Sequence, residues 1–422
     1  MTTTRIVKRD GRAVDFDVEK IASAIYKAAK AIGGHDYQTS RMLANQVADR
    51  LAELSPDTAP TVEQVQDMVE KVLIENGHAR TAKEFILYRA ERTRIREMNT
   101  RLMRTFEDLT FKDARELDLK RENANIDGDC PMGTMLKYGS ESAKQFYEMF
   151  VLNPAYSEAH RNGDIHIHDM DFLTLTTTCC QIDLDKLFQG GYSTGHGFLR
   201  EPNDIASYSA LACIAIQSNQ NDQHGGQSIP NFDYGMADGV RKTFVRMYRQ
   251  NLARALMLLC GDEDPEARLK MLQGEIQEEA GLAPTLADCE DYFAAELPRL
   301  APFGEESELK KAQRFAHARA VKETDRAAYQ AMEALIHNLN TMHSRAGAQT
   351  PFSSINYGTD TSPEGRMVMK NILLATEAGL GGGETPIFPI QIFRVKSGVN
   401  YEPGDPNYDL FQLAIRCSAK RL

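Results

Sequence analysis

Leu173-Thr-Leu-Thr-Thr-Thr-Cys-Cys-Gln-Ile-Asp-Leu184 is a β-prone run set among helical patterns, and what stands on either side of it decides the fold class. Threonine and apolar residues suit a strand, and strands interleaved with helices build a layered α/β domain. Successive strand side chains point to opposite faces, so at most one of Cys179 and Cys180 can face the interior of a barrel. A disulfide between the two neighbours would be strained. The ordinary state of a single cysteine is buried and inert, which suits Cys130, Cys213, Cys260 and Cys289, since no motif surrounds them.

Upstream, Asp164-Ile-His-Ile-His-Asp169 alternates at period two and predicts a further strand. His166 and His168 would share one face of it, but a third ligand at suitable spacing is missing, so no metal is expected. Downstream, Asp204 to about Gln220 predicts a helix with Ala and Ser on its packing side, closed by Gly225-Gly226. Residues 236–345 read as almost wholly helical, with the charged stretch Gly261–Lys322 as an exposed insertion. Strand character returns at Phe352–Tyr357 and Ile387–Val395. Between them Gly379–Gly383 lacks the Gly-Lys-Ser/Thr ending of a phosphate loop and reads as a turn, leaving phosphate contact to Thr385 and nearby backbone.

Residues 5 to about 95 form a separate pattern. Strands Arg5–Lys8 and Arg12–Phe16 flank Arg9-Asp10-Gly11, a hairpin signal. Asp17 is placed to cap a helix carrying Ile21, Ile25 and Ile32, which Gly33-Gly34 ends. Thr61 and Gln64 have capping-box spacing ahead of the stripe Val62, Val65, Val69 and Val72, and Asn76-Gly77 closes it. A last helix spans about Thr81–Asn99. The hairpin carries four cations, Arg5, Lys8, Arg9 and Arg12. Beside the helix N-terminus near Asp17 they would favour a phosphate, and an edge hairpin kept soluble by charge is the alternative.

The 422 residues allow two or three domains, and 42% hydrophobic with 26% charged content fits a folded chain. A net charge of −11 argues against a nucleic-acid groove. No run is long and apolar enough for a membrane span and the N-terminus lacks a signal-peptide core, so a cytoplasmic location without membrane contact is expected. Seven cysteines without a C-x-x-C fit reduced thiols.

Val7-Lys-Arg-Asp-Gly11, Phe16-Asp-Val-Glu-Lys-Ile21 and Tyr88-Arg89 resemble an ATP-cone, a domain that binds ATP or dATP as effector of ribonucleotide reductases. The resemblance implies phosphate contacts from Lys8, Arg9 and Lys20 and places Phe16 near the nucleotide, with Thr61 and Arg89 as looser members of the site. Gly163–Asp169, Thr178–Leu184, Gly195-His-Gly197, His224–Pro230, Gln349–Ser354, Asp405-Pro-Asn-Tyr-Asp409 and Cys417-Ser-Ala-Lys-Arg421 together resemble the anaerobic, class III ribonucleoside-triphosphate reductases. This implies an ATP-cone over 1–97 and, over 98–422, the first part of a ten-stranded α/β barrel. It also implies thiyl-radical reduction of ribonucleoside triphosphates. In that chemistry Cys417 forms the thiyl radical, carried into the barrel on a loop, Cys179 stands across the substrate, and Cys180 faces away into packing. The family's glycyl radical, its structural zinc, a radical-SAM activase with an iron-sulfur cluster and a homodimer follow from the same resemblance.

Neither the family's Arg-x-x-Gly-Tyr radical motif nor its cysteine pairs occur in these residues. The expectation is therefore an incomplete form, inactive alone. A non-catalytic regulator that keeps an ATP-cone, or a class I or II reductase fragment, are the alternatives. The Asn-x-Cys-x-Glu run of classes I and II is not present, and no zinc ribbon precedes the cone as it does in repressors.

Overall fold

The computed structural model describes residues 5–8, 11–54, 58–111, 130–173, 177–260 and 265–421. The chain divides into two compact units, Met1–Phe111 with Glu141–Ile167 and Lys112–Ser140 with His168–Leu422.

The first unit opens with β1 (Arg5–Val7) and β2 (Ala13–Asp15), antiparallel with Ile6 opposite Val14. Gly11 takes the left-handed backbone, φ 80°, that the turn needs, and its N–H donates to Lys8 O at 2.9 Å. Helix α1 (Val18–Ala31) is capped by Asp17, which accepts from Glu19 N, and α2 (Tyr37–Leu54) follows. Helix α3 (Val62–Glu75) starts with the complete Thr61–Gln64 capping box, and α4 runs Ala79–Phe111, about three turns beyond its expected end. Ile21, Ile25, Leu43, Val47, Val69, Val72 and Phe85 make the core. Each such side chain contributes about 1.5–3 kcal/mol when fully buried.

Helix α5 (Pro131–Phe146) has residues in both units and continues as a π-helical turn, Tyr147–Val151. Helix α6 (Pro154–Asn162) is capped by Asn153 and stopped by Gly163 at φ 81°. The strand expected at Asp164–Asp169 is not formed. Asp164 N and Ile165 N both donate back to Ala159 O, and Ile167 N donates to His160 Nδ1 at 3.2 Å, so these amides serve the end of α6. Asp169 turns left-handed at φ 49°.

The second unit runs β3 (Thr178–Gln181), α7 (Leu184–Phe188), the small hairpin β4 (Tyr192–Ser193) and β5 (Phe198–Leu199), α8 (Ile205–Asp222) and β6 (His224–Ile229). Helices α9 (Phe232–Cys260), α10 (Glu266–Ala280), α11 (Glu290–Leu300) and α12 (Glu306–Thr341) lead to β7 (Ser353–Tyr357). Helix α13 (Pro363–Ala378), β8 (Ile390–Phe393) and α14 (Tyr408–Arg421) complete it. The sheet is parallel, in the order β3-β6-β7-β8. Spatial order follows chain order, as in the wall of a barrel and unlike a doubly wound sheet. The α/β class expected from the sequence is the class observed.

One face of the sheet is covered and the other is open. Ile229, Ile355 and Tyr357 pack into the helix layer with Tyr208, Met236, Met332, Leu335 and Ile372. On the opposite face Gln181, Ser228, Ser354 and Ile390 stand in one register row, and Ile390 and Ile392 remain 43% and 44% exposed. Two expectations are corrected here. Gly225-Gly226 lies inside β6 and does not close α8. The charged stretch after α9 is no loose insertion among its described residues. Tyr248, Leu252, Tyr292, Leu300 and Leu309 form a second core. At its centre buried Glu296 accepts from Tyr248 Oη at 2.5 Å, Tyr292 Oη at 3.0 Å and Gln313 Nε2 at 2.8 Å. Burial pushes this carboxyl above the ordinary range.

A polar knot joins the C-terminal ends of β6, β7 and β8. Asp233, fully buried at the start of α9, accepts with Oδ2 from Gly358 N, Thr359 N and Asp360 N at 2.9, 3.0 and 3.0 Å. Asn400 Nδ2 donates to Gly358 O and Arg394 O, and Asn407 Nδ2 to Gly358 O and Asp360 O. Asp233→Ala leaves these amides without their acceptor and is expected to destabilise the second unit by about 3–5 kcal/mol, the scale of breaking a buried charge pair. Hydrogen exchange should quicken at Gly358, Thr359 and Asp360, and unchanged protection there would contradict the assignment.

Candidate functional site

Cys179 owes its position to an irregularity between β3 and β6. Thr178 pairs with His224 but Cys180 pairs with Gln227, so β6 spends an extra residue at this point. Gly225 takes φ 96° there and Cys179 takes φ 56°. A Cβ added to Gly225 would meet Cys179 Sγ at 3.0 Å, and one added to Gly226 would meet the Phe352 ring at 3.0 Å. Only glycine leaves both the backbone freedom and the room at 225.

The exposed Cys179 thiol borders a cavity of about 430 Å³ on the open side of the sheet, walled also by Gln181, Gly226, Ser228, Phe352 and Ser354. Cys180 contributes to the same wall, and its Sγ accepts from Asn219 Nδ2 of α8 at 2.9 Å. Burial raises the Cys180 thiol above the ordinary range. Asn219 also donates to Gln227 Oε1 at 2.7 Å, which fastens β6 to the helix layer behind the thiol.

Cys417 is not brought to this cavity. It sits within α14, not on a loop, and is 5% exposed in the core shared with Leu410 and Tyr357. Burial raises its thiol. In this structure an apolar face of α14, not a loop, holds it. The Asp405–Asp409 motif supplies Asn407 to the knot and Asp409 to a bidentate pair with Arg366 at 3.0 and 2.8 Å. His224, next to Gly225, opens the His224–Pro230 motif but was given no role of its own from the sequence. Its Nε2 lies 3.1 Å from Asp169 Oδ1. Among the described residues no group of three or more His, Cys, Asp or Glu side chains is arranged to hold a metal ion.

In the first unit Val7 N donates to Pro60 O at 2.9 Å and Val7 bridges Thr61, so the hairpin turn lies against the start of α3. The sequence placed the turn beside Asp17. The paired strands separate them, because Asp15 is opposite Arg5 while Ala13 is opposite Val7. Exposed Lys8 and the Thr61 cap are thus neighbours at one end. Phe16, half-buried against the helices, and exposed Lys20, 3.6 Å from Asp17 Oδ2, stand at the other. Arg89 is committed elsewhere, to Asp67 at 2.6 Å and Glu70 at 2.8 Å of α3. These carboxylates raise its guanidinium further. Arg9 lies outside the described residues.

The family model for anaerobic ribonucleoside-triphosphate reductase matches residues 122–422, and the model of the ATP cone domain matches residues 4–94. The chain belongs to the anaerobic ribonucleoside-triphosphate reductase family.

The anaerobic ribonucleoside-triphosphate reductase of Haemophilus influenzae is 26% identical over 425 residues, covering 100% of this chain and 52% of that protein. The chain spans about half the length of the curated relatives it matches. A vitamin B12-dependent ribonucleoside-diphosphate reductase of Thermoplasma acidophilum is 41% identical, but over 97 residues, 22% of this chain and 12% of that one. The crystal structure of the anaerobic ribonucleotide reductase from Thermotoga maritima in complex with dATP and CTP aligns at 12% identity and TM-score 0.41, covering 77% of this chain and 48% of that one. No helix among the described residues is long and apolar enough to cross a membrane.

Cys213 is 2% exposed and its thiol is pushed up to about 12 by burial, so at about pH 8 it stays protonated and shielded. Iodoacetamide is expected to label Cys179 at least about tenfold faster than Cys213 or Cys417 in the native chain, with the difference vanishing in urea. Peptide mapping checks this, and equal native rates would sink the geometry given for Cys179.

Proposed function

We propose that this chain serves the anaerobic reduction of ribonucleoside triphosphates to deoxyribonucleoside triphosphates, under allosteric control by ATP or dATP bound near residues 1–97. Residues 98–422 supply a section of barrel wall and two reacting thiols. The observation that carries this reading is the exposed Cys179 on its irregular strand, lining a cavity inside the segment matched by the reductase family model. The alternative of a class I or II fragment draws only on likenesses limited to 22% of the chain.

In this reading the substrate ribose lies over the open sheet face. Ser228 and Ser354 offer hydroxyls to it, Phe352 closes one side, and Cys179 presents a donor hydrogen. The 3′ hydrogen is removed by a thiyl radical and returned at the end, the 2′-hydroxyl leaves as water, and a two-electron reductant, formate or a thiol protein, supplies the electrons that the reduction at C2′ consumes. A glycyl radical in the complete protein would generate that thiyl radical by taking the thiol hydrogen. A radical-SAM activase with an iron-sulfur cluster, a structural zinc and a homodimeric assembly belong to the same proposal. Cys417 is the thiyl-forming cysteine of this proposal, and Cys179 the cysteine across the substrate from it.

At the effector site Lys8 and Lys20 act as phosphate-binding cations beside the N-termini of α3 and α1, and Phe16 packs near the nucleotide. The Thr61 hydroxyl accepts from Gln64 N, so it acts by holding the start of α3. Titration calorimetry on the 422-residue chain is expected to detect both ATP and dATP. Lys8→Ala and Lys20→Ala should each weaken binding by about tenfold, or about 1.4 kcal/mol. Absence of binding by either nucleotide would overturn the effector reading.

A further inference from the structure

We infer that Asp169, acting through His224, positions the Cys179 thiol. His224 is fastened to the segment ahead of β3 by both its side chain and its backbone. Its Nε2 lies 3.1 Å from Asp169 Oδ1, and its ring stacks on Phe172 with centroids 4.0 Å apart and planes 21° from parallel. Its backbone N–H donates to Thr177 O at 2.9 Å, and it pairs in register with Thr178. The other Asp169 oxygen lies 3.2 Å from His168 Nε2, so the carboxylate is held between two imidazoles.

The next residue after His224 is Gly225, the point where β6 spends its extra residue and where the backbone approaches Cys179 Sγ. The thiol's own segment and the strand it leans on are thereby locked to each other by one carboxylate and one ring. Released, Gly225 is free to shift against Cys179, and shifts of about 1 Å are large for a reacting group. His224 Nδ1 is buried and meets no hydrogen-bond donor among the described residues. A ring retained in that state is one whose other nitrogen fixes its place. His224 and Asp169 are positioning residues, since their action on substrate passes through Cys179.

The inference takes its importance from the proposed function, but its test needs neither substrate nor radical. Iodoacetamide labelling of Cys179 in the 422-residue chain is read by peptide mapping relative to Cys130 in the same digest. His224→Phe keeps the ring stack and the size, so the fold is retained, and it removes the Asp169 contact. It is expected to raise the relative rate of Cys179 by more than about threefold. His224→Gln and Asp169→Asn, which can restore a donor–acceptor pair, should stay within that margin. A His224→Phe rate within about threefold of the unaltered chain overturns the inference, and so does a conservative variant that behaves like His224→Phe. Failure here would leave nucleotide binding intact, and loss of nucleotide binding would leave this labelling result unchanged.

Discussion

Asp233 is the group on which the second unit depends. Parallel strands cannot be joined by tight turns, so each strand end must be fixed by contacts made far along the chain. Asp233 follows β6, the three amides it binds follow β7, and Asn400, which caps the same loop, follows β8. One carboxylate therefore sets the heights of three strands relative to one another. The row Gln181, Ser228, Ser354 and Ile390 is level only because those heights are set. The cavity beside Cys179 inherits its shape from a knot at the opposite end of the strands.

The sequence carried the local parts of this architecture well. Capping residues Asp17, Thr61 and Asp204 are short-range signals, and each begins the helix it predicts. The β-prone runs at 173–184, 352–357 and 387–395 each contain a strand, trimmed by tertiary pairing to Thr178–Gln181, Ser353–Tyr357 and Ile390–Phe393. Period two misled at Asp164–Asp169, because alternation says nothing about whether a partner strand is within reach. The backbone there found closer acceptors at the end of α6. Gly225-Gly226 misled in the other direction: glycine marks a break in pattern, and inside a strand that break is an irregularity and not an end.

The candidate site was legible in proportion to how local it is. Cys179 stood out because two cysteines on one strand demand a choice of face. The irregularity that exposes Cys179 depends on β6, which is distant in sequence, and so could not be read from 178–184 alone. The burial of Cys417 was illegible for a related reason. A short motif near a cysteine identifies a family but not the side of a helix on which the thiol lands, and Leu410 with Tyr357 shows that side to be the core. Asp233 lies in no motif, and the motifs that contain Asn407, Asp169 and His224 do not reveal what those side chains touch. Their meaning lies in pairs formed across long stretches of chain.

Arg89 acquires a different significance from the length of the helix that bears it. Helix α4 has 33 residues and so spans about 50 Å. Among its described residues, those buried in the hydrophobic core of the first unit, Ala82 and Phe85, lie near its beginning. Such a helix is a lever with its fulcrum near one end, and a tilt of about 5° at the root moves the tip by about 4 Å. The grip of Arg89 on Asp67 and Glu70 falls just past that fulcrum. Arg89 ties this part of α4 to α3, and Arg94, whose guanidinium donates to Met149 O at 3.1 Å, holds the helix further along.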